Sequence, residues 1–500
     1  MTVEGGSPER SPELLDSGVP NLDRVLGGGV PRGSLVMVLG APGTGKTLLA
    51  QQVAFHLAAR GDATLYLTGY SETHDKLLLH MRGLTFFVAD RIGQQIQFIS
   101  LPDLLEVGAT EAEQAIVATA REQRATLVVI DGFRTMRRYL ADDLLIAHFL
   151  YSLGAKLTLR GATTLVTTEG EPDGPVRYPE LTVCDIILGL HRERRGGRHR
   201  RLLDVMKARG APALDGIHPF DISRAGITVH PRLESVVSPS VPTPPPGRAA
   251  FGIRDIDALL GGGLTVGSTT VIAGSPGAGK TLLGLHFVAE GVRRDEPALF
   301  LSMRETVDQL RERARAFGLD LSGAEAAGRA RFVALPDYEL EADRIADLLC
   351  QDIEGRNVRR LVIDSAAELE RGIAPDERKP EFLAALTTYL RGRAITTCLA
   401  LDVPKTAGQD LDLVGTPFVV LAENLLLLRD VEYLGQPHRV FSVLKMRFSS
   451  YDQSIREYEP VPGRGIQILG LAPATAGQPT EPQDRPLNQG QGPAPGGSGR

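Results

Sequence analysis

The chain has 500 residues, 42% of them hydrophobic, and a formal net charge of -6. That length predicts two to four domains with sizeable cores, and the acidic balance points away from nucleic acid, which calls for a basic surface. Three cysteines, Cys184, Cys350 and Cys398, lie far apart with no metal-ligand spacing, which argues against a disulfide scaffold and suits a reducing cytoplasm. MTVEGGSPERSPELL lacks an apolar signal core, and no run of about 18 apolar residues occurs, so a cytoplasmic protein without a membrane span is expected.

In chain order, residues 1–12 read as a disordered N-terminus and residues 13–232 as a first domain. SLVMVLG is a short apolar strand. It runs into Gly40, Ala41, Pro42, Gly43, Thr44, Gly45, Lys46, Thr47 and Leu48, which open a helical stretch. This fits G-x-x-x-x-G-K-[ST] between a strand and a helix, the context the phosphate-binding loop requires. Its glycines let backbone N–H groups wrap phosphate oxygens, Lys46 would reach the β- and γ-phosphates, and Thr47 would place a hydroxyl on Mg²⁺. ATLYLTG is the next strand, followed by Ser71-Glu72. LVVI then delivers Asp131 at a strand end, where an aspartate orients the Mg²⁺ water shell.

Residues 191–203, HRERRGGRHRRLL, read as the charged tip of a surface hairpin, without the aromatic interleaving of a single-strand binder. Lys207 and Arg209 follow on one strand and, two residues apart, are expected to face the same way. Residues 233–248, LESVVSPSVPTPPPGR, read as a stiff exposed linker.

The second domain, 249–470, repeats the first. VLGGGVPRGSLVMVLGAPGTGKTLL at 25–49 returns as LLGGGLTVGSTTVIAGSPGAGKTLL at 259–283, an offset of 234 residues. The second loop is Gly274, Ser275, Pro276, Gly277, Ala278, Gly279, Lys280, Thr281 and Leu282. LFLSMRET carries Arg304-Glu305, LVI ends at Asp364, and VLKMR holds Lys445 and Arg447. Four matches in the same order indicate a tandem duplication. Alternating strand and helix patterns predict an α/β fold with a largely parallel sheet in each copy. Residues 471–500, rich in Pro, Gly, Gln and Ala, read as a disordered tail.

Over residues 13–468 the chain resembles the KaiC family of RecA-like ATPases. SGVPNLDRVLGGGVPRG, FGIRDIDALLGGGLTVGS, VMKARGAPALDGIHPFDISRAGITV and VLKMRFSSYDQSIREYEPVPGRGIQI carry the resemblance. It implies two tandem RecA-like P-loop NTPase domains. It also implies a homohexamer with ATP and Mg²⁺ at subunit interfaces, and a conformational switch for a signalling partner. Lys207, Arg209, Lys445 and Arg447 would then lie against a neighbour's γ-phosphate, and His218 near the interface nucleotide. The family's two adjacent glutamates, which activate water, match Ser71-Glu72 and Arg304-Glu305. Only Glu72 and Glu305 remain as bases, and Arg304 is expected to favour the charged, less basic form of Glu305. The Ser-Thr pair that clock-type members phosphorylate aligns with Val419 and Val420, with Thr416 nearby, so phosphorylation at that pair is excluded by chemistry. The rival readings are a RecA-like DNA motor or recombination accessory protein, a non-hydrolysing ATP-binding scaffold, and a kinase acting on a partner.

Overall fold

The computed structural model describes residues 13–69, 74–140, 142–174, 178–195, 197–238, 244–336, 340–403, 417–433, 436–447 and 449–472. The disorder expected at 1–12 lies outside these residues, as does all but the start of the tail expected at 471–500, where Leu471 instead ends a strand.

The first copy is built on a nine-stranded sheet. Its strands are β1 (Leu35–Gly40), β2 (Ala63–Thr68), β3 (Ile96–Ser100), β4 (Ala125–Asp131), β5 (Thr163–Glu169), β6 (Ile186–Arg195), β7 (Arg198–Ala208), β8 (Ile217–Ser223) and β9 (Gly226–Val229). They lie in the order 3-2-4-5-1-6-7-8-9. β1 to β6 run parallel, and β7 to β9 extend the edge antiparallel.

The second copy holds β10 (Thr269–Gly274), β11 (Ala298–Ser302), β12 (Ala330–Ala334), β13 (Arg360–Asp364), β14 (Thr396–Asp402), β15 (Asn424–Tyr433), β16 (Gln436–Met446), β17 (Arg456–Val461) and β18 (Gly465–Leu471) in the same relative order. Two mostly parallel sheets flanked by helices bear out the expected fold class. The basic stretch 191–203 is the end of the β6–β7 hairpin, where Arg195 pairs with Arg198.

The central strands are buried on both faces because their alternate side chains meet different helices. Val36 and Val38 of β1 pack with Leu49, Val53 and Phe55 of α1 (Lys46–Ala59). Leu35 and Met37 face Ile116 of α2 (Ala109–Glu122) and Phe149, Leu150 and Leu153 of α3 (Asp143–Thr158). Each such buried aliphatic or aromatic side chain contributes roughly 1.5–3 kcal/mol. In the second copy Ile272 packs toward Leu283 and Phe287 of α4 (Lys280–Arg293), while Val271 and Ala273 face the opposite core.

The glycine triplets of the entry signature turn the chain into a short ribbon. Arg248–Ala249 pairs with Leu264–Thr265. Gly263 has φ 124°, and a Cβ there would stand 2.6 Å from the Ala249 carbonyl oxygen, so only glycine fits.

The start of the expected linker is corrected. Leu233–Val236 is a short helix, and Leu233 is buried in the core of the second copy against α6 (Ala342–Arg356) and α7 (Lys379–Gly392); α5 (Val307–Ala316) lies between α4 and these. Burying Leu233 outweighs the exposure its proline-rich neighbourhood suggests. Arg378 Nε donates to Glu234 at 2.6 Å, and Arg200 of β7 pairs with Glu341 at 2.7 Å. His230 bridges the copies, with Nδ1 2.9 Å from Asp347 and Nε2 3.2 Å from Asp221.

Two phosphate-binding cradles as candidate nucleotide sites

Both loops leave the sheet at the carboxyl end of its central strand, where parallel α/β sheets bind ligands. A Cβ on Gly40 would lie 2.6 Å from the Leu190 carbonyl oxygen, and one on Gly274 would collide with that of Leu428. Gly43 (φ 77°) and Gly277 (φ 85°) form the loop tips, facing open space. Gly45 and Gly279 cap α1 and α4. Neither helix has a side-chain cap or an acidic residue in its first turn. The first N–H groups and the positive end of each helix therefore face the cradle, an arrangement that fits phosphate.

In each copy the lysine, the threonine and the strand-end aspartate lie close together. Lys46 Nζ donates to the carbonyls of Gly40 (2.9 Å) and Ala41 (3.0 Å), and Lys280 Nζ to those of Gly274 (2.9 Å) and Ser275 (2.8 Å). Thr47 Oγ1 donates to Asp131 at 3.1 Å, and Thr281 Oγ1 to Asp364 at 2.7 Å. Each threonine–aspartate pair is a hard oxygen set suited to Mg²⁺, which keeps waters and takes phosphate oxygens for its remaining positions.

Burial pushes the Asp131 carboxyl up, against hydrogen bonds from Thr167, Tyr66 and Thr47 and the charge of Lys46. Burial also raises Asp364, opposed by the Thr281 hydroxyl and the charges of Lys280 and Arg304. Burial lowers Lys46, while Glu169 and Asp131 pull it back up.

Several neighbours escaped the sequence reading. Tyr66 and Thr167 donate to Asp131 at 3.0 and 2.5 Å. Glu169 and Asp402 stand in register with Gly40 and Gly274, and Asp402 pairs with Lys280 at 2.6 Å. A signal existed: TTLVTTE and TTCLALD are threonine-led, strand-forming runs ending on an acid at matching places in the repeat.

Glu72 lies outside the described residues. Glu305 follows β11, and its environment corrects the expectation drawn from Arg304. Arg304 turns away to Glu368 (2.8 Å) and to Asp402, while Glu305 pairs with Arg313 at 2.9 Å. Burial raises the Glu305 carboxyl above its usual range, Arg313 lowers it, and the nearby Asp364 adds to the rise. The carboxylate is thus a stronger base than the neighbouring arginine suggests.

The expected side-by-side projection of each Lys–Arg pair is also corrected. Lys207 Nζ folds onto the carbonyls of Thr182 (3.1 Å) and Leu181 (3.4 Å), and Lys445 Nζ onto those of Ala422 (2.7 Å) and Val419 (3.4 Å). The carbonyl end of a short helical turn attracts the ammonium in both copies. Arg209 and Arg447 alone are exposed, just past their strands. His218 is fully buried. Its Nδ1 accepts from the Arg232 N–H at 2.9 Å and its Nε2 lies 3.4 Å from the Leu214 carbonyl, so within the chain its ring nitrogens are engaged by backbone. Val419 and Val420 sit on the short helix Pro417–Leu421; Thr416 lies outside the described residues. No helix among the described residues is long and apolar enough to cross a membrane.

The family model described as "ATPase: KaiC" matches residues 15–234 and again 249–472. The circadian clock oscillator protein KaiC of Rippkaea orientalis is 27% identical over 455 residues, 88% of this chain and 86% of that protein. KaiC of Synechococcus elongatus is 28% identical over 456 residues, again 88% and 86%. The circadian clock protein KaiC3 of Synechocystis sp. is 26% identical over 473 residues, 91% of this chain and 92% of that protein.

Proposed function

The chain belongs to the KaiC family of ATPases, and from that premise we propose that it binds Mg²⁺·ATP in both cradles and hydrolyses it slowly, as a nucleotide-driven switch for a protein partner. The observation that carries this reading is the twofold recurrence of one constellation in one register: a helix with a glycine N-cap and no side-chain cap, lysine, threonine and strand-end aspartate. Lys46 and Lys280 would meet the β- and γ-phosphates. Bound Mg²⁺, held by Thr47 and Asp131 or by Thr281 and Asp364, would neutralise charge developing on the phosphates.

Glu305 is the water-orienting base at the second site, a role supported by its raised carboxyl and its electrostatic contact with Asp364. Glu72 takes that role at the first. The exposed Arg209 and Arg447 would reach a neighbouring subunit's nucleotide in an ATP-dependent hexameric ring, with Lys207 and Lys445 behind them. The interdomain ion pairs give hydrolysis in one copy a route to the other. The test is steady-state phosphate release with and without single-stranded DNA, using Lys46→Ala and Lys280→Ala as controls. Slow DNA-independent turnover lost in the controls is expected. Strong stimulation by DNA would favour a motor, and bound ATP without turnover would favour a scaffold.

A further inference from the structure

Asp402 is held from two sides. Its Oδ1 accepts from Lys280 at 2.6 Å, and its Oδ2 pairs with the Arg304 guanidinium. Lys280 thereby uses all three ammonium donors, the other two on the carbonyls of Gly274 and Ser275. To meet a phosphate it must give up at least one of these. Releasing Asp402 would expose a carboxylate, in register with Gly274, to a polyanion. Arg304 has its own anchor, because its Nε and a terminal nitrogen bond Glu368 at 3.0 and 2.8 Å. Glu368 is buried and also takes bonds from Ser365 and, at 3.0 Å, from Arg371. Arg304 therefore stays in place when Lys280 moves.

We propose that Arg304 is a positioning residue of the second site, a cis-acting arginine that keeps Asp402 neutralised while Lys280 passes from the carboxylate to the phosphates, and so sets that site's affinity for ATP. The inference rests on reading the second loop as an ATP site. The first cradle solves the same problem with another segment. Glu169 ends β5 in register with Gly40, and Arg134, from the turn after β4, lies 3.4 Å from it. Lys46 makes no ion pair there among the described residues.

The experiment titrates fluorescently labelled ATP and ADP into the full chain carrying Lys46→Ala, which leaves the second cradle as the reporter. Arg304→Ala should weaken ATP roughly fivefold and ADP less, because the γ-phosphate adds charge facing Asp402. Arg304→Lys should retain part of the affinity. Adding Asp402→Asn to Arg304→Ala should restore it, a rescue that a merely structural arginine would not show. Asp402→Asn alone should tighten ATP by freeing Lys280, and it serves as the reporter if Arg304→Ala fails to fold. Unchanged affinity in Arg304→Ala, absent rescue in the folded double variant, or unchanged affinity in Asp402→Asn would overturn the proposal. If the Lys46→Ala chain binds no nucleotide at all, the ATP reading of the second site falls with it; if it binds but ignores these substitutions, only the role of Arg304 falls.

Discussion

The two cradles share lysine, threonine and aspartate in one register but are surrounded differently. In the first copy Asp131 takes three hydroxyls, from Thr47, Tyr66 and Thr167. In the second, strand register replaces Tyr66 by Phe300 and Thr167 by Ala400, and among the described residues Asp364 keeps only the Thr281 hydroxyl. Charges take over: Lys280, Asp402, Arg304, Glu368 and Arg371 form one chain of ion pairs. Duplication preserved the phosphate cradle, while the means of managing the buried carboxylates diverged. Neutral hydroxyls act at short range and resist salt; an ion-pair chain must rearrange when a polyanion arrives. Occupancy of the second site should therefore be the more sensitive to electrostatic change.

The largest expected contrast comes from the lysines. Lys280→Ala should cost the second site less nucleotide affinity than Lys46→Ala costs the first, because Lys280 must surrender its Asp402 pair to meet the phosphates whereas Lys46 breaks no ion pair among the described residues. Site-resolved titration checks this, and equal losses would erase the distinction between the two cradles.

Next in size is the staple between copies. Leu233→Ala should destabilise the second copy by about 2–5 kcal/mol, because it empties a fully enclosed site in that core. Calorimetry should then resolve a lowered transition belonging to the second copy alone.

A smaller effect tests the coupling at His230. Burial lowers its pKa, but bonds and charge from Asp221 and Asp347 outweigh that and raise it from 6.5 to about 9. A raised histidine stabilises fully below its unfolded value and loses that contribution as pH climbs through the folded one. Stability should thus fall between about pH 6.5 and 9, by at most roughly 3 kcal/mol. In His230→Gln, measured by denaturant unfolding across that range, this component of the slope should vanish. Arg344, 3.4 Å from Asp221, limits the size of the effect.

Of similar size is Tyr66→Phe, which makes the first site resemble the second. Losing one hydroxyl from a buried carboxylate should cost about 1.5–3 kcal/mol at the upper end of hydrogen-bond values. It should also raise Asp131 further, so that Mg²⁺-dependent binding at the first site weakens earlier on acidification. Nucleotide titrations from neutral to mildly acidic pH would measure it.

Much of this was legible in the sequence, for physical reasons. The loops are read from local constraints, since glycine is needed wherever backbone meets phosphate or a neighbouring strand. Asp131 and Asp364 are read from strands that end on a charge. The doubling is read from its fixed offset, and the sheets follow from apolar strands alternating with helices. What stayed hidden depended on three-dimensional register. Tyr66 and Thr167 look like ordinary strand residues until β2, β4 and β5 align them with Asp131. Arg304 sits next to Glu305 in sequence yet serves Asp402, 98 residues away. Leu233 lies in a proline-rich stretch, and only the packed second core shows why it is buried. The lysines of each closing strand fold onto carbonyls that sequence spacing does not reveal.

The most direct measurement is the number of Mg²⁺·ATP molecules bound per chain, by calorimetric titration of the full protein and of Lys46→Ala and Lys280→Ala. Two per chain, falling to one in each variant, is the expected result. A single nucleotide in the unmodified chain, or two retained in either variant, would contradict the assignment of a working cradle to each copy.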